Sequence, residues 1–145
     1  MIERSGIAEL IPHALGMCLL DTVDAWDEQS IRCTAVSHRA ERNPLRSGQQ
    51  LAALNLCEYG AQAMAVHGGL LAQREHGGKA AAGMLVSLRD VEFAVDRIDD
   101  IGATLTVTAH RKIAGPGGSL YQFEISVDGR WIARGRVSVI HPKLA

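Results

Sequence analysis

A short polar stripe interrupts an otherwise apolar stretch of the chain. Its members are Asn55, Glu58, Tyr59 and Gln62, whose spacing places them on one side of a helix. An unpaired charge is costly when it is shielded from water. A shielded Glu58 would therefore take up a proton readily, which suits general acid or base catalysis near neutral pH. The alternative is that this stripe meets solvent or a second subunit and has only a structural role.

Gly48 and Gln49 lie where the same helix is predicted to begin. The first residues of a helix have N–H groups without helical partners and lie at the positive end of the helix dipole. Such groups could polarise a bound carbonyl group and stabilise a negative charge that develops on its oxygen. The alternative is that Gly48 is an ordinary loop residue.

The histidines and cysteines give no sign of a metal site. The six histidines include no His-x-x-x-His pair, and the three cysteines include no Cys-x-x-Cys pair. We therefore expect no metal and no cofactor. His67 follows Glu58 by nine residues, which places it about half a turn away on the helix. A structural or interfacial role is expected for His67.

The element that would carry the stripe is a long helix over residues 49–73. This stretch is rich in helix-forming residues and contains no proline. Apolar residues recur there at spacings of three and four, which is typical of a helix with one buried face. They are Leu54, Cys57, Ala61, Met64, Ala65, Gly68 and Ala72.

Strands are predicted on both sides of this helix. Residues 17–25 and 30–38 are strand candidates before it, and the apolar period changes to two after Gly83. Four stretches then follow, at 84–95, 103–110, 121–127 and 131–139, with a tight hairpin expected at Asp128-Gly129. A six-stranded antiparallel sheet curled around one long helix satisfies this pattern. The prediction is a single α+β domain, residues 1–145, with the hotdog fold and with sheet edges that a second subunit could cover.

Composition narrows the class of protein. The chain has 145 residues and a net charge of −1, which argues against a nucleic-acid partner. It lacks a run of 18 apolar residues, so we expect no membrane span. The first residues do not follow the pattern of a signal peptide, and a cytoplasmic protein is expected.

Several motifs together resemble the β-hydroxyacyl-acyl carrier protein dehydratases, and in particular the divergent dehydratases predicted in aryl polyene gene clusters. The likeness extends in the same order over nearly the whole chain. The motifs are Leu10-Ile11-Pro12-His13 with Met17 and Leu19-Leu20-Asp21-x-Val23, Asn43-Pro44-Leu45-Arg46-Ser47-Gly48, Glu58-Tyr59-x-Ala61-Gln62-Ala63, and Val127-Asp128-Gly129-x-x-x-Ala133.

The resemblance implies dehydration of a (3R)-hydroxyacyl thioester, carried by acyl carrier protein or coenzyme A, in fatty-acid or polyene chain building. Glu58 matches the catalytic glutamate, and Gln62 would support it by hydrogen bonding one turn away. The N–H groups near Gly48 and Gln49 would hold the thioester carbonyl.

The family pairs this glutamate with a histidine that precedes the helix and comes from across the dimer interface. Here Gln49 follows Gly48, and an amide cannot exchange a proton near pH 7. The missing histidine is expected from a paralogous hotdog partner. Otherwise a homodimer would use another base, such as His13 or His38.

Two other functions remain open. Hotdog thioesterases also use a helix carboxylate and do not need the missing histidine. A third possibility is a non-catalytic partner subunit that is retained for its interface.

Overall fold

The computed structural model describes residues 1–11, 18–77 and 84–140. In these ranges it contains two α-helices, α1 (Arg4–Leu10) and α2 (Leu56–His76). Seven strands accompany them: β1 (Ile2–Glu3), β2 (Thr22–Trp26), β3 (Ser30–Ala35), β4 (Met84–Phe93), β5 (Leu105–Gly115), β6 (Gly118–Val127) and β7 (Arg130–Ile140). Short 3₁₀ turns occupy Ser37–Arg39 and Ala53–Asn55.

All seven strands form one antiparallel sheet in the order β1-β2-β3-β5-β6-β7-β4. Together with the long helix, this sheet confirms the predicted α+β hotdog fold. The sheet has one strand more than the six predicted, because the two residues Ile2 and Glu3 pair with β2. So short a strand leaves no alternation that a sequence pattern could reveal.

Helix α2 packs its inner face on the middle of the sheet. Tyr59, Ala63 and Val66 are fully buried there, and the helix contacts β3, β5 and β6. The approach is close at Gly60, where an added Cβ would lie 2.5 Å from the ring of Phe123. Glycine at this position therefore sets how near the helix can come to the sheet.

Gly60→Ala is expected to lower the free energy of unfolding by about 1–2 kcal/mol. The added methyl group overpacks a closed core, and this destabilises the fold by more than the higher helix propensity of alanine stabilises it. Gly68→Ala is the matched control on the same helix, since an added Cβ there meets nothing within 4 Å. It should be neutral or stabilising by up to about 1 kcal/mol. Urea denaturation of the isolated chain measures both, and equal effects would contradict the close contact at Gly60.

The predicted start of the long helix at residue 49 is wrong, since α2 begins at Leu56. Residues 50–52 are kept out of the helix because they have partners elsewhere in the chain, and the 3₁₀ turn Ala53–Asn55 follows them. The Leu51 N–H donates to the Asp99 carboxylate (2.9 Å), and the Leu51 carbonyl accepts from Ile98 (2.9 Å). The Ala53 N–H then donates to the Asp96 carbonyl (2.9 Å). These contacts compete with helix propensity and prevail over it.

Other boundaries differ by a few residues. The second predicted strand, 30–38, ends at Ala35 because Ser37–Arg39 turns away. The strand predicted at 103–110 extends to Gly115. Met17, where the first predicted strand begins, lies outside the described residues, and the described part of that stretch joins the sheet only from Thr22 to Trp26. No helix in the described part of the chain is both long enough and apolar enough to cross a membrane.

Candidate functional site

Glu58 lies in the first turn of α2 and is exposed in the single chain. In the ranges that the structure describes, its carboxylate makes no hydrogen bond. A negative side chain in the first turn of a helix is stabilised by the helix dipole. Leu54, four residues earlier, is 65% exposed, so the surface beside Glu58 is partly apolar. An accessible carboxylate bordered by apolar surface can meet a substrate or a second subunit.

The structure divides the polar stripe that the sequence predicts. Tyr59 turns into the core and is fully buried, in contrast to its neighbour Glu58. Its hydroxyl lies 2.8 Å from Ser37 Oγ and accepts from Asn43 Nδ2 (3.1 Å). Burial raises the pKa of Tyr59, which keeps the phenol neutral. Tyr59 therefore has a structural role, and Glu58 is the outward-facing acid of this turn.

Gln62, one turn after Glu58, is half-buried. Its side-chain oxygen accepts a hydrogen bond from the Leu19 N–H (2.9 Å). The Leu19 carbonyl accepts from Ser37 Oγ (2.6 Å). The segment before β2 is thus held to α2 beside the turn of Glu58. Within the described residues, the expected hydrogen bond between Gln62 and Glu58 is not formed.

Gly48 and Gln49 occupy an exposed tight turn that precedes the helix by several residues. Ser47 and Gln50 close this turn with two backbone hydrogen bonds (2.9 and 3.2 Å). Gly48 has a φ of +65°, which only glycine adopts at no steric cost. In the part of the chain that is described, the N–H groups of Gly48 and Gln49 have no partner. They can donate to a ligand, but they belong to a turn and not to a helix end.

Asn43 has a structural role in this region, although the sequence analysis names it only as the first residue of a motif. It is buried, and its Nδ2 donates to the Ser37 carbonyl (2.9 Å) as well as to Tyr59. Its Oδ1 accepts from the Leu45 N–H (2.8 Å). Asn before Pro44 is a known turn signal, and it could have indicated an ordered loop here. It could not have indicated the contact with Tyr59.

His38, one of the two alternative bases, is fully buried. Its Nε2 donates to the Ile101 carbonyl (3.0 Å), and its Nδ1 finds no partner among the described residues. Burial lowers the pKa of His38. A buried imidazole fixed to the backbone is poorly placed to act with the exposed Glu58. The other alternative base, His13, lies outside the described residues.

His67 has the structural surroundings expected for it. The imidazole is fully buried; its Nε2 donates to the Asp27 carbonyl (2.8 Å), and its Nδ1 accepts from the Tyr121 hydroxyl (2.5 Å). The ring of Trp26 packs edge-on against it. Burial lowers the pKa of His67, so the neutral form is favoured. The histidine joins α2 to β6 and to the turn between β2 and β3.

The two buried histidines predict a loss of stability in mild acid. Both pKa values are lowered in the folded state, so the unfolded chain binds protons first as the pH falls below about 6.5. The contribution of the two neutral histidines to stability is fully present above that pH and is lost progressively below it. Between pH 7.5 and 5.5 we expect each histidine to remove about 1 kcal/mol from the free energy of unfolding.

Denaturant titration at the two pH values measures this loss. His67→Gln should reduce the pH dependence by about half. The control His110→Gln changes an exposed histidine and should leave the pH dependence as it is. A pH dependence that survives both His38→Gln and His67→Gln would contradict this assignment.

Two parts of the surface, the edge of β4 and the outer side of α2, are suited to cover by another protein. Strand β4 is the last strand of the sheet and has one edge without a partner strand in the described structure. On this strand Leu88 is 39% exposed. Ala61 and Ala65 lie half-buried on the outer side of α2 and carry no charge. An open strand edge beside exposed apolar side chains is typical of a subunit interface.

Comparison with known protein families gives one match that covers almost the whole chain. Residues 5–145 match the family model described as ApeP-like, ApeP dehydratase. A comparison with curated protein sequences finds no match.

Solved structures resemble this fold closely. The chain is similar to one in the dehydratase heterocomplex ApeI:P from Xenorhabdus doucetiae, with a TM-score of 0.85, 23% identity, and 94% of this chain and 91% of that chain covered. AziG from S. sahachiroi has a TM-score of 0.64, 21% identity, and coverage of 93% and 99%. A thioesterase from Haemophilus influenzae has a TM-score of 0.67, 11% identity, and coverage of 97% and 90%. At these identities the likeness shows the shared fold.

Proposed function

Because the chain belongs to the ApeP-like dehydratase family, we propose that it is one subunit of a heteromeric dehydratase acting on (3R)-hydroxyacyl thioesters. The observation that carries this proposal is the position of Glu58. This exposed carboxylate lies in the first turn of α2, on a partly apolar surface that a second subunit could close. A substrate enclosed there would meet the acid and be shielded from water.

The reaction removes one water from the acyl chain. A base takes a proton from C2, the electrons form the C2–C3 double bond, and the 3-hydroxyl leaves as water after taking up a proton. The product is the trans-2-enoyl thioester. Glu58 is the group in this chain that we assign to one of these proton transfers, either directly or by orienting a water.

The thioester carbonyl must be held while C2 loses its proton. The N–H groups of Gly48 and Gln49, in an exposed turn, are proposed for this task. Because the family's site is built across the interface, this turn would serve the site that faces the partner's helix. Two N–H donors aimed at a developing enolate oxygen would lower the barrier to proton removal. Gln62 is half-buried one turn beyond Glu58 and is proposed to line the same side of the acyl chain.

A second hotdog subunit is proposed to complete the site. The solved ApeI:P structure is a heterocomplex, and the open edge of β4 offers this chain a place for such a partner. The second proton-transfer group, a histidine, would come from that partner. The acyl group is proposed to arrive on acyl carrier protein, with coenzyme A as the other carrier that we would test.

Product analysis separates this function from the alternatives. The chain and its hotdog partner are incubated with a 3-hydroxyacyl thioester, and the products are identified by mass spectrometry. A dehydratase yields the enoyl thioester, which has lost one water, whereas a thioesterase yields a free thiol and an acid. Free thiol as the main product would overturn the proposal. Unchanged activity when Glu58 is replaced would leave this chain as a non-catalytic subunit.

A further inference from the structure

We infer that Ser37 and Tyr59 are positioning residues, which fix the rotation of α2 about its axis and so the direction in which Glu58 leaves the helix. Both side chains are buried, and neither has to touch the substrate. The inference rests on the proposed function, because it concerns the acid of that site. It uses only contacts inside this chain, whichever subunit supplies the other groups of the site.

Two residues of α2, one turn apart, are tied to the same buried residue, Leu19. Gln62 accepts a hydrogen bond from the Leu19 N–H (2.9 Å). The Leu19 carbonyl accepts from Ser37 Oγ (2.6 Å), and Ser37 Oγ lies 2.8 Å from the Tyr59 hydroxyl. Because the Ser37 hydroxyl donates its only proton to Leu19, the Tyr59 hydroxyl is the donor of the bond between them. Helix α2 is therefore anchored on both the N–H and the carbonyl of one residue.

The two anchors are separated both along the helix and around it. Residues three apart in a helix differ by about 4.5 Å along the axis and by about 60° around it. Tyr59 and Gln62 therefore cannot both keep their bonds if α2 slides or rotates. The apolar contacts of these turns restrain rotation less, because hydrophobic burial is not directional. Gly60 and Ala63, which pack there, also have little side chain to interlock with the sheet.

A small rotation of α2 would displace Glu58 by a distance that matters for catalysis. The end of a side chain lies about 5–6 Å from the helix axis, so a rotation of about 10° moves it by about 1 Å. A displacement of about 1 Å at a reacting centre can cost about 100-fold in rate. Glu58 has no hydrogen bond of its own in the described structure, so its direction depends on the helix that carries it.

Kinetics of the complex with the hotdog partner test the inference. Tyr59→Phe keeps the ring and removes the hydroxyl that reaches Ser37. It should lower kcat by about 10-fold with a smaller change in KM, since the effect is on geometry in the transition state. Tyr121→Phe is the matched control, because it removes another buried phenol hydroxyl that bonds to the same helix, at His67. His67 lies about 13 Å beyond Glu58 along the axis, so both constants should stay unchanged.

Two substitutions of Ser37 separate the hydrogen bond from packing. Threonine and valine add nearly the same bulk, but only threonine keeps the hydroxyl. The kcat of Ser37→Thr should therefore exceed that of Ser37→Val by about 10-fold. Equal losses in the two variants would assign the effect to packing and contradict the role of the hydroxyl.

A double substitution shows whether Tyr59 acts through Glu58. In the Glu58→Gln complex the acid is already lost, so the addition of Tyr59→Phe should lower kcat no further. A general loss of folded or assembled complex would instead lower kcat by the same factor with and without Glu58. That second result would overturn the positioning role.

Amide hydrogen exchange tests the anchor without any turnover. In Tyr59→Phe and Ser37→Val the Leu19 amide should exchange faster, and in Tyr121→Phe it should exchange as in the unsubstituted chain. Unchanged exchange in the first two variants would refute the anchor, and faster exchange with unchanged kcat would show that the contacts are only structural. An unsubstituted complex that forms no enoyl thioester would refute the proposed function and the positioning role with it, whereas the exchange still decides whether the anchor exists.

Discussion

Glu58→Gln is expected to lower the turnover of the complex by about 100- to 10,000-fold, the usual size for the loss of a general acid–base group. Glutamine preserves the shape of the side chain and its hydrogen-bonding capacity but cannot exchange a proton. Glu58 is exposed in the first turn of α2, and its carboxylate has no hydrogen bond in the described structure. The substitution should therefore lower the free energy of unfolding by no more than about 1 kcal/mol, the usual size of the lost interaction with the helix dipole.

The measurement is the rate of enoyl thioester formation by the complex at saturating substrate. Glu75→Gln is the matched control, because it removes an exposed carboxylate at the other end of the same helix. It should retain full activity. If Glu58→Gln turns over as fast as the unsubstituted complex, the acid must come from another group, and Glu58 has no part in the chemistry.

The fold could be predicted because its signals are local and repeated. Apolar residues at spacings of three and four mark the 21 residues of α2, and alternation marks β5, β6 and β7. The Asp128-Gly129 pair indicated the last hairpin, and both residues have the positive φ that such a turn requires. A long helix and several alternating strands leave few ways to cover every apolar face.

The geometry of the site could not be predicted because its signals are tertiary. Helix-forming residues continue upstream of Leu56, yet backbone bonds from Leu51 and Ala53 to Ile98 and Asp96 keep that segment out of the α-helix. Tyr59 and Glu58 were assigned to the same polar stripe, yet one side chain is buried and the other exposed. Small differences in rotation about the helix axis decide which of the two side chains is buried. The periodicity of the sequence does not resolve such differences. Arg46 donates hydrogen bonds to three backbone carbonyls, and no sequence pattern indicates them; they belong to His38, Ala40 and Gln49.

The last prediction concerns what the chain does without its partner. A homodimer would offer Glu58 at both sites but Gln49 in place of the family's histidine, so neither site would have the second proton-transfer group. His38, one of the two alternative bases for a homodimer, is poorly suited to this role. It is fully buried and donates a hydrogen bond to the Ile101 carbonyl. The purified chain alone should therefore dehydrate hydroxyacyl thioesters about 100-fold to 10,000-fold more slowly than the mixture with its partner.

Four assays decide this question: the chain alone and the chain with its partner, each with Glu58 intact or replaced by Gln. Activity only in the mixture with Glu58 intact is the expected result, because one complete site then takes its carboxylate from this chain and its histidine from the partner. Activity in the mixture that survives Glu58→Gln would assign both groups to the partner. Full activity of the chain alone would falsify the need for a partner. The second proton-transfer group would then have to be sought in this chain, first at His13 and then at His38. His38 could act only if the loop around it moved and exposed the imidazole.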